Sequence, residues 1–544
     1  MTMKRIAFLL VMVGILFFSS CKKDQEMPQF FRGYCERNEM KTSLNSDGHS
    51  LMWDSDNEVI KIWGNADNNW STYIEAELRD IDEDHGWANF YALYCGEDRF
   101  VTPFRAGYPT CYWKAYNKVH FPYNQFYREN NLDHFPMYSV SSDEEFRFKN
   151  LCGVVKLRLQ KTGYSVSAIS ITTDRKNVSG DFWVSMDSPN DVPTLTEGNG
   201  CSTVTLRCPQ PVNIDQAKDF YIYLPPNVYS SFKIEIFTSD GSYTKISSQN
   251  NQNITVNRNK ILTLIPDPNS IRMAPNVIVP GYFDVNASHD QIRFSYSNVK
   301  YTVGGVPDPW FFGNGQTDYS NTYSANVWSY FGRCVGTPQQ GSGSGAVGAS
   351  SSNNSGMLTS ENDADYAGSF VDWSFHFNPN DREIPWRTIR AEEWQYIISA
   401  RDNCEDLRAL ATISGVTGLL LLPDEWNYCY HNYDEEFGIE IDRSFNNYSD
   451  NELTTEQLNT LTMAGAVFLP AAGKRVGATV SEDGSKGYYW TDQEGVSSNA
   501  GKNLYFSFSP SDSPIVNTGY NASTGLSVRL VKTTAFHTHH GDTN

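Results

Sequence analysis

The chain has 544 residues, 14% of them aromatic, and a formal net charge of −20 at pH 7. This length is too great for one hydrophobic core and predicts about three folded units. The acidic balance argues against nucleic acid as a partner, because a protein that binds phosphate backbones needs clustered Lys and Arg. Beyond residues 6–18, we find no apolar stretch long enough to cross a bilayer as a helix.

The N-terminus follows the pattern of a lipoprotein export signal. Lys4 and Arg5 precede the apolar run over 6–18, and Ser19, Ser20 and Cys21 follow it. The run is too short for a membrane span, and small residues beside a cysteine suit cleavage and lipidation. We therefore expect a signal peptide over 1–21, with Cys21 lipidated as the first residue of the mature chain. Residues 22–26 resemble the acidic tags that place lipoproteins of Gram-negative anaerobes on the cell surface, which implies a surface-exposed outer-membrane protein.

Cysteine usage permits disulfides without specifying them. Ten cysteines less Cys21 leave nine, an odd number, so at least one mature thiol has no partner within the monomer. Cys201 and Cys208 lie seven residues apart in one strand-like run, so they face opposite sides about 23 Å apart, beyond disulfide reach.

Residues 35–266 read as antiparallel β-structure. Short runs rich in Val, Ile, Tyr, Phe and Thr alternate apolar and polar residues, and turn residues break them about every ten positions. A soft boundary near 136–142 divides the region into two β-sandwiches, over 22–140 and 141–266. Residues 267–280, rich in Pro, Asn and Asp, then predict a linker.

Several motifs in this region resemble the fimbrillin-like proteins of Gram-negative anaerobes. They are the segments at 41–44 (KTSL), the strand ending at Trp63, 148–157 (FKNLCGVVKL), 220–226 (FYIYLPP) and 256–262 (VNRNKIL). The resemblance implies two Greek-key sandwiches and fimbrial subunits as partners. In that family an N-terminal segment is removed to open a groove for a strand from a neighbouring subunit, which is a form of edge-strand addition.

Two helices distinguish the C-terminal region, residues 281–533. The first, over 391–401, places Trp394, Ile397 and Ile398 on one face. The second begins at a capping box formed by Thr454 and Gln457, with leucines at 453 and 458 positioned for a hydrophobic staple. Short strands surround both helices, so the region is predicted to be α+β, and 534–544 a disordered tail.

This region resembles the C-type-lectin-like fold of the Fibrobacter major paralogous domain family, which is related in fold to formylglycine-generating enzymes. The motifs are at 386–388, 393–394, 418–423 with Trp426, 468–473, 487–490 and 526–531. It also resembles the variable segment of lectin-fold proteins diversified by retroelements, in which outward Asn, Tyr, Ser and Asp positions vary on a fixed scaffold.

Motifs that carry catalysis or cofactors are weak in this chain. Residues 343–348 match the dinucleotide fingerprint by letters, but Ser and Gly flank them instead of a strand and a helix. The His-rich end at 537–540 is more typical of a disordered tail than of a metal site. The acidic run at 434–436 is more typical of charge exposed to solvent than of a calcium site. The sugar-binding triplets of calcium-dependent lectins are missing, as are cysteines after Cys429. We expect no catalytic residues, no cofactor and no metal.

A ligand-binding face is predicted around one C-terminal strand. If Leu504, Phe506 and Phe508 face the core, the alternate residues of that strand point outwards. Adjacent loops add the Tyr, Ser and Asn chemistry that adaptable binding surfaces favour. The candidate residues are Trp490, Asp492, Gln493, Glu494, Ser497, Asn499, Asn503, Tyr505, Ser507, Ser509, Asn517, Tyr520 and Asn521. A second candidate is the aromatic segment 426–433, whose tyrosines could instead pack internally.

The sequence thus predicts a non-catalytic, lipid-anchored adhesin or fimbrial tip-type protein. Its C-terminal domain would bind an extracellular protein or glycan. The alternatives are a purely structural fimbrial subunit and a glycan-capture lipoprotein of a polysaccharide uptake system.

Overall fold

The computed structural model confirms a mainly β chain with few helices. It describes residues 29–36, 58–64, 70, 73–81, 87–92, 102–132, 134–174, 176–247, 253–275, 277–302, 310–324, 326–333, 372–377, 386–428, 431–443, 451–476, 479–495, 500–508, 513–521, 524–533 and 536–537. The export signal, Cys21, residues 41–44 and the Gly/Ser-rich 343–348 lie outside these residues. Among the described helices, none is long and apolar enough to cross a membrane.

The strands and helices fall into three stretches of the chain. The first contains β1 (Gln29–Tyr34), β2 (Val59–Gly64), β3 (Tyr73–Ile81), β4 (Trp87–Ala92), β5 (Phe104–Tyr108), a 3-10 turn (Thr110–Tyr112), β6 (Trp113–Ala115), β7 (Lys118–Phe121), β8 (Asn124–Phe126), β9 (Met137–Ser141), β10 (Glu145–Arg147) and β11 (Lys149–Asn150). The second contains β12 (Gly153–Leu159), β13 (Ser165–Thr173), β14 (Ser179–Ser185), β15 (Thr194–Cys201), β16 (Thr203–Asn213), β17 (Lys218–Leu224), β18 (Asn227–Tyr229), β19 (Phe232–Thr238), β20 (Ser242–Ser247), β21 (Ile254–Val256), β22 (Ile261–Leu264) and β23 (Ala274–Pro275).

The third stretch holds the helices. It contains β24 (Phe283–Asp284), β25 (Gln291–Phe294), β26 (Val299–Thr302), β27 (Trp310–Phe312), β28 (Val327–Trp328), a 3-10 turn (Trp373–His376), β29 (Trp386–Thr388), α1 (Ala391–Ser399), β30 (Arg408–Ile413), β31 (Val416–Leu421), β32 (Asn427–Tyr428), β33 (His431–Asn432), α2 (Tyr433–Phe437), β34 (Glu452–Leu453), α3 (Thr455–Ala464), β35 (Val467–Pro470), β36 (Lys474–Val476), β37 (Thr479–Ser481), β38 (Lys486–Glu494), β39 (Ala500–Ser507), β40 (Ile515–Asn521), β41 (Leu530–Thr533) and β42 (Phe536–His537).

The N-terminal half is built from interlaced sheets. An eight-stranded sheet has the order β10-β1-β4-β3-β2-β5-β9-β11, and β12 pairs between β17 and β22. Strands β6, β7 and β8 precede the expected boundary at 140. Strand β7 pairs with β14 and carries β6 at the edge of that sheet, and β8 joins β16. The apolar core of the first unit correspondingly includes Phe182 and Tyr223 from beyond that boundary. The structure therefore does not separate two sandwiches cleanly at residue 140.

Period-two alternation reflects burial in this half. In β12, Leu157 and Leu159 are buried, whereas Arg158 between them is exposed and pairs with Asp219. One face packs inside and the other meets water, as expected for antiparallel sandwiches.

Residues 267–280 make more contacts than a free linker. The pair at 274–275 forms β23 and extends the sheet of β20. Ile271 is buried in the core of the second unit, and Val279 in a core of the C-terminal unit. The segment thus joins the two cores directly.

The C-terminal unit has the predicted α+β composition. Helix α1 buries Trp394, Ile397 and Ile398 as expected, beneath the sheet of β38, β39 and β40. Helix α3 begins at the predicted capping box, in which Thr454 and Gln457 each bond the other's backbone N–H, at 3.2 and 2.8 Å.

A buried arginine fastens the C-terminal unit to the sandwiches. Arg207 on β16 is fully buried and donates to the carbonyl oxygens of Met463, at 2.8 Å, and Pro280, at 2.7 Å. Its Nε donates to Asn124 Oδ1 at 2.9 Å. Because guanidinium donors satisfy carbonyls from two other segments, the contact fixes the orientation of the C-terminal unit.

A second polar contact places His120 between two carboxylates. Its Nδ1 lies 2.7 Å from Asp181 on the neighbouring strand, and its Nε2 lies 3.5 Å from Glu425 of the C-terminal unit. Burial alone would lower the pKa of His120, but the hydrogen bonds with Asp181 and Glu425 outweigh it and raise the pKa above 6.5. The His120 imidazole therefore links the two units through Asp181 and Glu425.

Acidic residues of the C-terminal unit gather beside this contact. Asp424 accepts a hydrogen bond from the backbone N–H of Asp284 at 2.8 Å and lies 3.5 Å from Arg401. Burial and the charge of Asp284 raise the pKa of Asp424 to about 7, against the opposing effect of Arg401. The acidic run at 434–436 is also engaged, since Glu436 pairs with Arg128 of the N-terminal half at 2.6 Å and Asp434 pairs with Arg443.

The C-terminal tail and the cysteines add two details. Contrary to the expected disorder from 534, the backbone of 536–537 pairs with the end of β15. Cys201 and Cys208 are buried thiols, and Cys111 is disulfide-bonded.

Candidate functional site

The structure buries three of the residues expected on the binding face. Trp490 and Asn503 are 0% exposed and Ser507 is also buried. Strand periodicity predicted that Asn503 and Ser507 point outwards, and Trp490, expected in an adjacent loop, lies within β38. Trp490 packs with Trp328 and Phe331, and its Nε1 donates to the Phe331 carbonyl at 2.6 Å. The face opposite Leu504 is covered because an aromatic cluster drawn from 299–386 packs onto it.

The other candidate residues divide by exposure. Ser497, Asn499 and Ser509 lie outside the described residues. Glu494 is exposed. The half-buried residues are Asp492, Gln493, Tyr505, Asn517, Tyr520 and Asn521.

Two of these residues, Tyr505 and Tyr520, converge on a third tyrosine. Tyr488 on β38 is the direct cross-strand partner of Tyr505 on β39, and their ring centroids lie 5.2 Å apart. The Tyr520 ring, from β40, lies 5.3 Å from that of Tyr488. Such distances suit tilted aromatic pairs, which add stability beyond area burial.

Charged residues complete this group. Lys474 on β36 and Lys486 on β38 both pair with Glu482, which lies in the turn between β37 and β38, at 2.9 and 2.7 Å. The Tyr488 hydroxyl donates to Glu482 Oε2 at 2.7 Å. We call the six residues Lys474, Glu482, Lys486, Tyr488, Tyr505 and Tyr520 the tyrosine cluster.

The charges of the tyrosine cluster are mutually stabilised. Partial burial disfavours the Glu482 carboxylate, but donors from Lys486, Lys474 and Tyr488 outweigh it and lower the pKa of Glu482 to about 2. Burial and the bond to Glu482 raise the pKa of Tyr488 well above 10. Burial opposes the Lys474 charge, but hydrogen bonds with Tyr520 and Glu482 together outweigh it and raise the pKa of that ammonium. At neutral pH the cluster therefore presents the charges of Glu482 and Lys474 together with the neutral hydroxyl of Tyr488.

A tight turn positions Glu482. Its φ is +63°, a left-handed conformation uncommon for residues with a side chain. Gly473, at φ +69°, passes so close to this turn that a Cβ there would meet the Ser481 carbonyl oxygen at 2.2 Å. Only glycine allows β36 to approach the turn, so the approach of Lys474 to Glu482 depends on it.

A second group surrounds Asp492 near the start of α1. The Asp492 carboxylate lies 4.0 Å from Arg390 Nε, and Gln493 bonds Glu392. Burial and the charge of Glu392 raise the pKa of Asp492 to about 6, while Arg390 opposes them. This group bonds mainly to its own unit.

Among the described residues, no group of three or more His, Cys, Asp or Glu has a geometry that could hold a metal ion.

The sequence alone missed four members of the cluster: Lys474, Glu482, Lys486 and Tyr488. Period two places Lys486 and Tyr488 on one side of β38, but their pairing with Tyr505 depends on the register of the β38–β39 hairpin. Residues 474 and 482 join through a separate hairpin, for which the sequence offers no clear signal.

Comparisons with known proteins give no family assignment. No family model and no curated protein matches the chain. Among solved structures, similar chains include a candidate cell adhesion protein from Bacteroides ovatus, with 10% identity and a TM-score of 0.29, covering 46% of this chain and 96% of that one. Another from Bacteroides uniformis has 12% identity and a TM-score of 0.27, covering 45% and 95%.

A third similar structure is the C-terminally truncated tip fimbrial protein Mfa3 from Porphyromonas gingivalis. Its identity is 9% and its TM-score 0.21, and the match covers 46% of this chain and 98% of that one. Likeness at this level does not transfer a function to this chain.

Proposed function

We propose that the protein is a non-catalytic, surface-anchored adhesin of the fimbrial tip type. Cys21 carries the lipid that holds it in the outer membrane, and the C-terminal unit binds an extracellular protein or glycan. The observation that carries this proposal is the tyrosine cluster, in which three aromatic rings and three charged groups meet at a partly open surface. The export pattern and the fimbrillin-like motifs support the location.

The chemistry of the cluster suits recognition. Tyrosine offers a large contact area and a hydroxyl at low conformational cost, because only two side-chain torsions have to be fixed. The ion pairs hold the rings and hydroxyls in place before a ligand arrives, which lowers the entropic cost of binding. Tyr505 and Tyr520 remain half-buried, so part of each ring is available to a partner.

The test uses residues 22–544, which omit only the predicted signal and lipidated cysteine, on glycan and host-protein arrays. For the ligand with the strongest signal, Tyr505→Ala and Tyr520→Ala should each raise the dissociation constant about tenfold or more, as expected for central aromatic anchors. Trp183→Ala is the control, because Trp183 is 39% exposed on β14 and lies outside the C-terminal unit. Equal losses in all three variants, or no bound ligand, would contradict the proposal.

A structural subunit remains the second candidate. The observation in its favour is the polar contact through Arg207, which seats the C-terminal unit on the sandwiches as a cap. A structural subunit should bind nothing on the arrays but should co-purify with fimbriae from cells. A glycan-capture lipoprotein would instead be encoded beside sugar transporters and glycosidases.

A further inference from the structure

Both oxygens of the Glu482 carboxylate are held by donors from elsewhere in the chain. Lys486 Nζ reaches Oε1 at 2.7 Å, while Lys474 Nζ and the Tyr488 hydroxyl reach Oε2 at 2.9 and 2.7 Å. This is the donor arrangement that recognises a carboxylate, with charge-assisted bonds to both oxygens.

The donors and the acceptor belong to different parts of the scaffold. Lys486 and Tyr488 lie on β38 and Lys474 on β36, whereas Glu482 comes from a turn at positive φ. The ammonium of Lys474 also lies over the rings of Tyr488 and Tyr520, at 5.6 and 5.7 Å from their centroids. Sheet pairing and ring contacts therefore keep the donors in place whether or not Glu482 occupies them.

The site is open enough for exchange. The side chains of Lys474, Glu482 and Lys486 are 26%, 27% and 35% exposed. Ion pairs that solvent reaches are individually weak, so a carboxylate from outside can compete with Glu482 at this partly exposed site. Lys474 and Lys486 together carry two positive charges against the one negative charge of Glu482, so these three side chains have a net positive charge although the whole chain is acidic.

We propose that the tyrosine cluster binds the carboxylate of an acidic sugar, which replaces Glu482 between Lys474, Lys486 and Tyr488. This inference rests on the proposed adhesin function and specifies its ligand class. In the free protein, Glu482 occupies these donors as an internal competitor of the ligand. A sugar is favoured over an acidic peptide because Tyr505 and Tyr520 flank the donors with ring faces on which the C–H groups of a pyranose can pack.

The experiment compares matched ligands on residues 22–544. Glycans ending in N-acetylneuraminic acid or glucuronic acid are measured beside otherwise identical glycans with a neutral terminal sugar, and beside poly-glutamate. We expect an acidic glycan to bind at least about tenfold more tightly than its neutral twin. Lys474→Met should remove this preference. Glu482→Gln should strengthen acidic-glycan binding several-fold without affecting the neutral twin, because it removes the internal competitor.

Lys532→Met is the control, since Lys532 lies in the same unit over Trp386 and outside the tyrosine cluster. Equal binding of acidic and neutral twins, still lost in Tyr505→Ala, would overturn the acidic-sugar inference and leave the adhesin function standing. Tight binding of poly-glutamate without acidic glycans would overturn the choice of a sugar. If no ligand of any kind bound, the adhesin function itself would fail.

Discussion

Replacing Arg207 by Met should loosen the C-terminal unit without unfolding the sandwiches. Arg207 is fully buried and donates to Met463 O, Pro280 O and Asn124 Oδ1. Met fills similar space but leaves these three acceptors without that donor, at a cost of about 1–3 kcal/mol each. The substitution also removes the free-energy cost of burying the Arg207 guanidinium away from water, and this gain offsets part of the loss. We therefore expect a net loss of about 3 kcal/mol in the free energy that holds the unit in place.

Native-state hydrogen exchange measures this loss locally, because a chain with several units does not unfold in one transition. Peptides that cover α3 and β8 should exchange about two orders of magnitude faster in Arg207→Met, the factor that corresponds to about 3 kcal/mol. Peptides from the eight-stranded sheet should keep their protection.

Arg158→Met is a matched control, because the side chain of Arg158 is 46% exposed and also makes two hydrogen bonds, to Asp219 at 2.7 and 2.8 Å. An exposed pair of this kind contributes about 1 kcal/mol or less, so its peptides should change by no more than about fivefold. If the two variants behaved alike, the role assigned to Arg207 would be refuted.

Three further predictions concern pH, the core and a helix cap. The pKa of His120 is raised in the folded protein, so its contribution to holding the two units together is complete below pH 6.5 and is lost as the pH rises through the folded value. Protection from hydrogen exchange at the interface should therefore fall from pH 6 to 9 in the native chain and far less in His120→Gln. An equal fall in both would contradict the role assigned to His120. Trp490→Ala should destabilise the C-terminal unit by about 3–5 kcal/mol, measured by urea unfolding, because the ring is fully buried; near-native stability would mean that the indole lies at the surface. Thr454→Ala should cost about 1 kcal/mol by the same assay, with faster exchange confined to the first turn of α3. Thr460→Ala, at a half-buried position further along that helix, should not reproduce that local effect.

Features set by neighbours in sequence could be predicted correctly. The start of α3 depends on Thr454 and Gln457, three residues apart, and both bonds of the capping box form. The buried side of α1 depends only on the helical period. In both cases the interacting residues are one turn apart, so the local pattern contains all the information required.

Features set by distant parts of the chain could not be predicted. The strand period of two places Asn503 and Leu504 on opposite faces of β39, as the structure shows. The same period gives no sign that Trp328 and Phe331 cover the Asn503 face as well. The tyrosine cluster likewise needs the β36–β37 hairpin to bring Lys474 to Tyr488. Tyr505 and Tyr520 were identified from their residue type, and their charged neighbours only from the fold.

The pairing of β7 and β8 with strands that lie after residue 140 has a consequence for how the chain folds. Val119 on β7 pairs with Phe182 on β14, and Phe126 on β8 with Arg207 on β16. During synthesis, β7 and β8 must therefore wait without these partners until many more residues have emerged. Expression fragments that stop near residue 140 would lack those partners and expose the unpaired strands, which makes them prone to aggregate. Fragments that extend through β16 should be markedly more soluble.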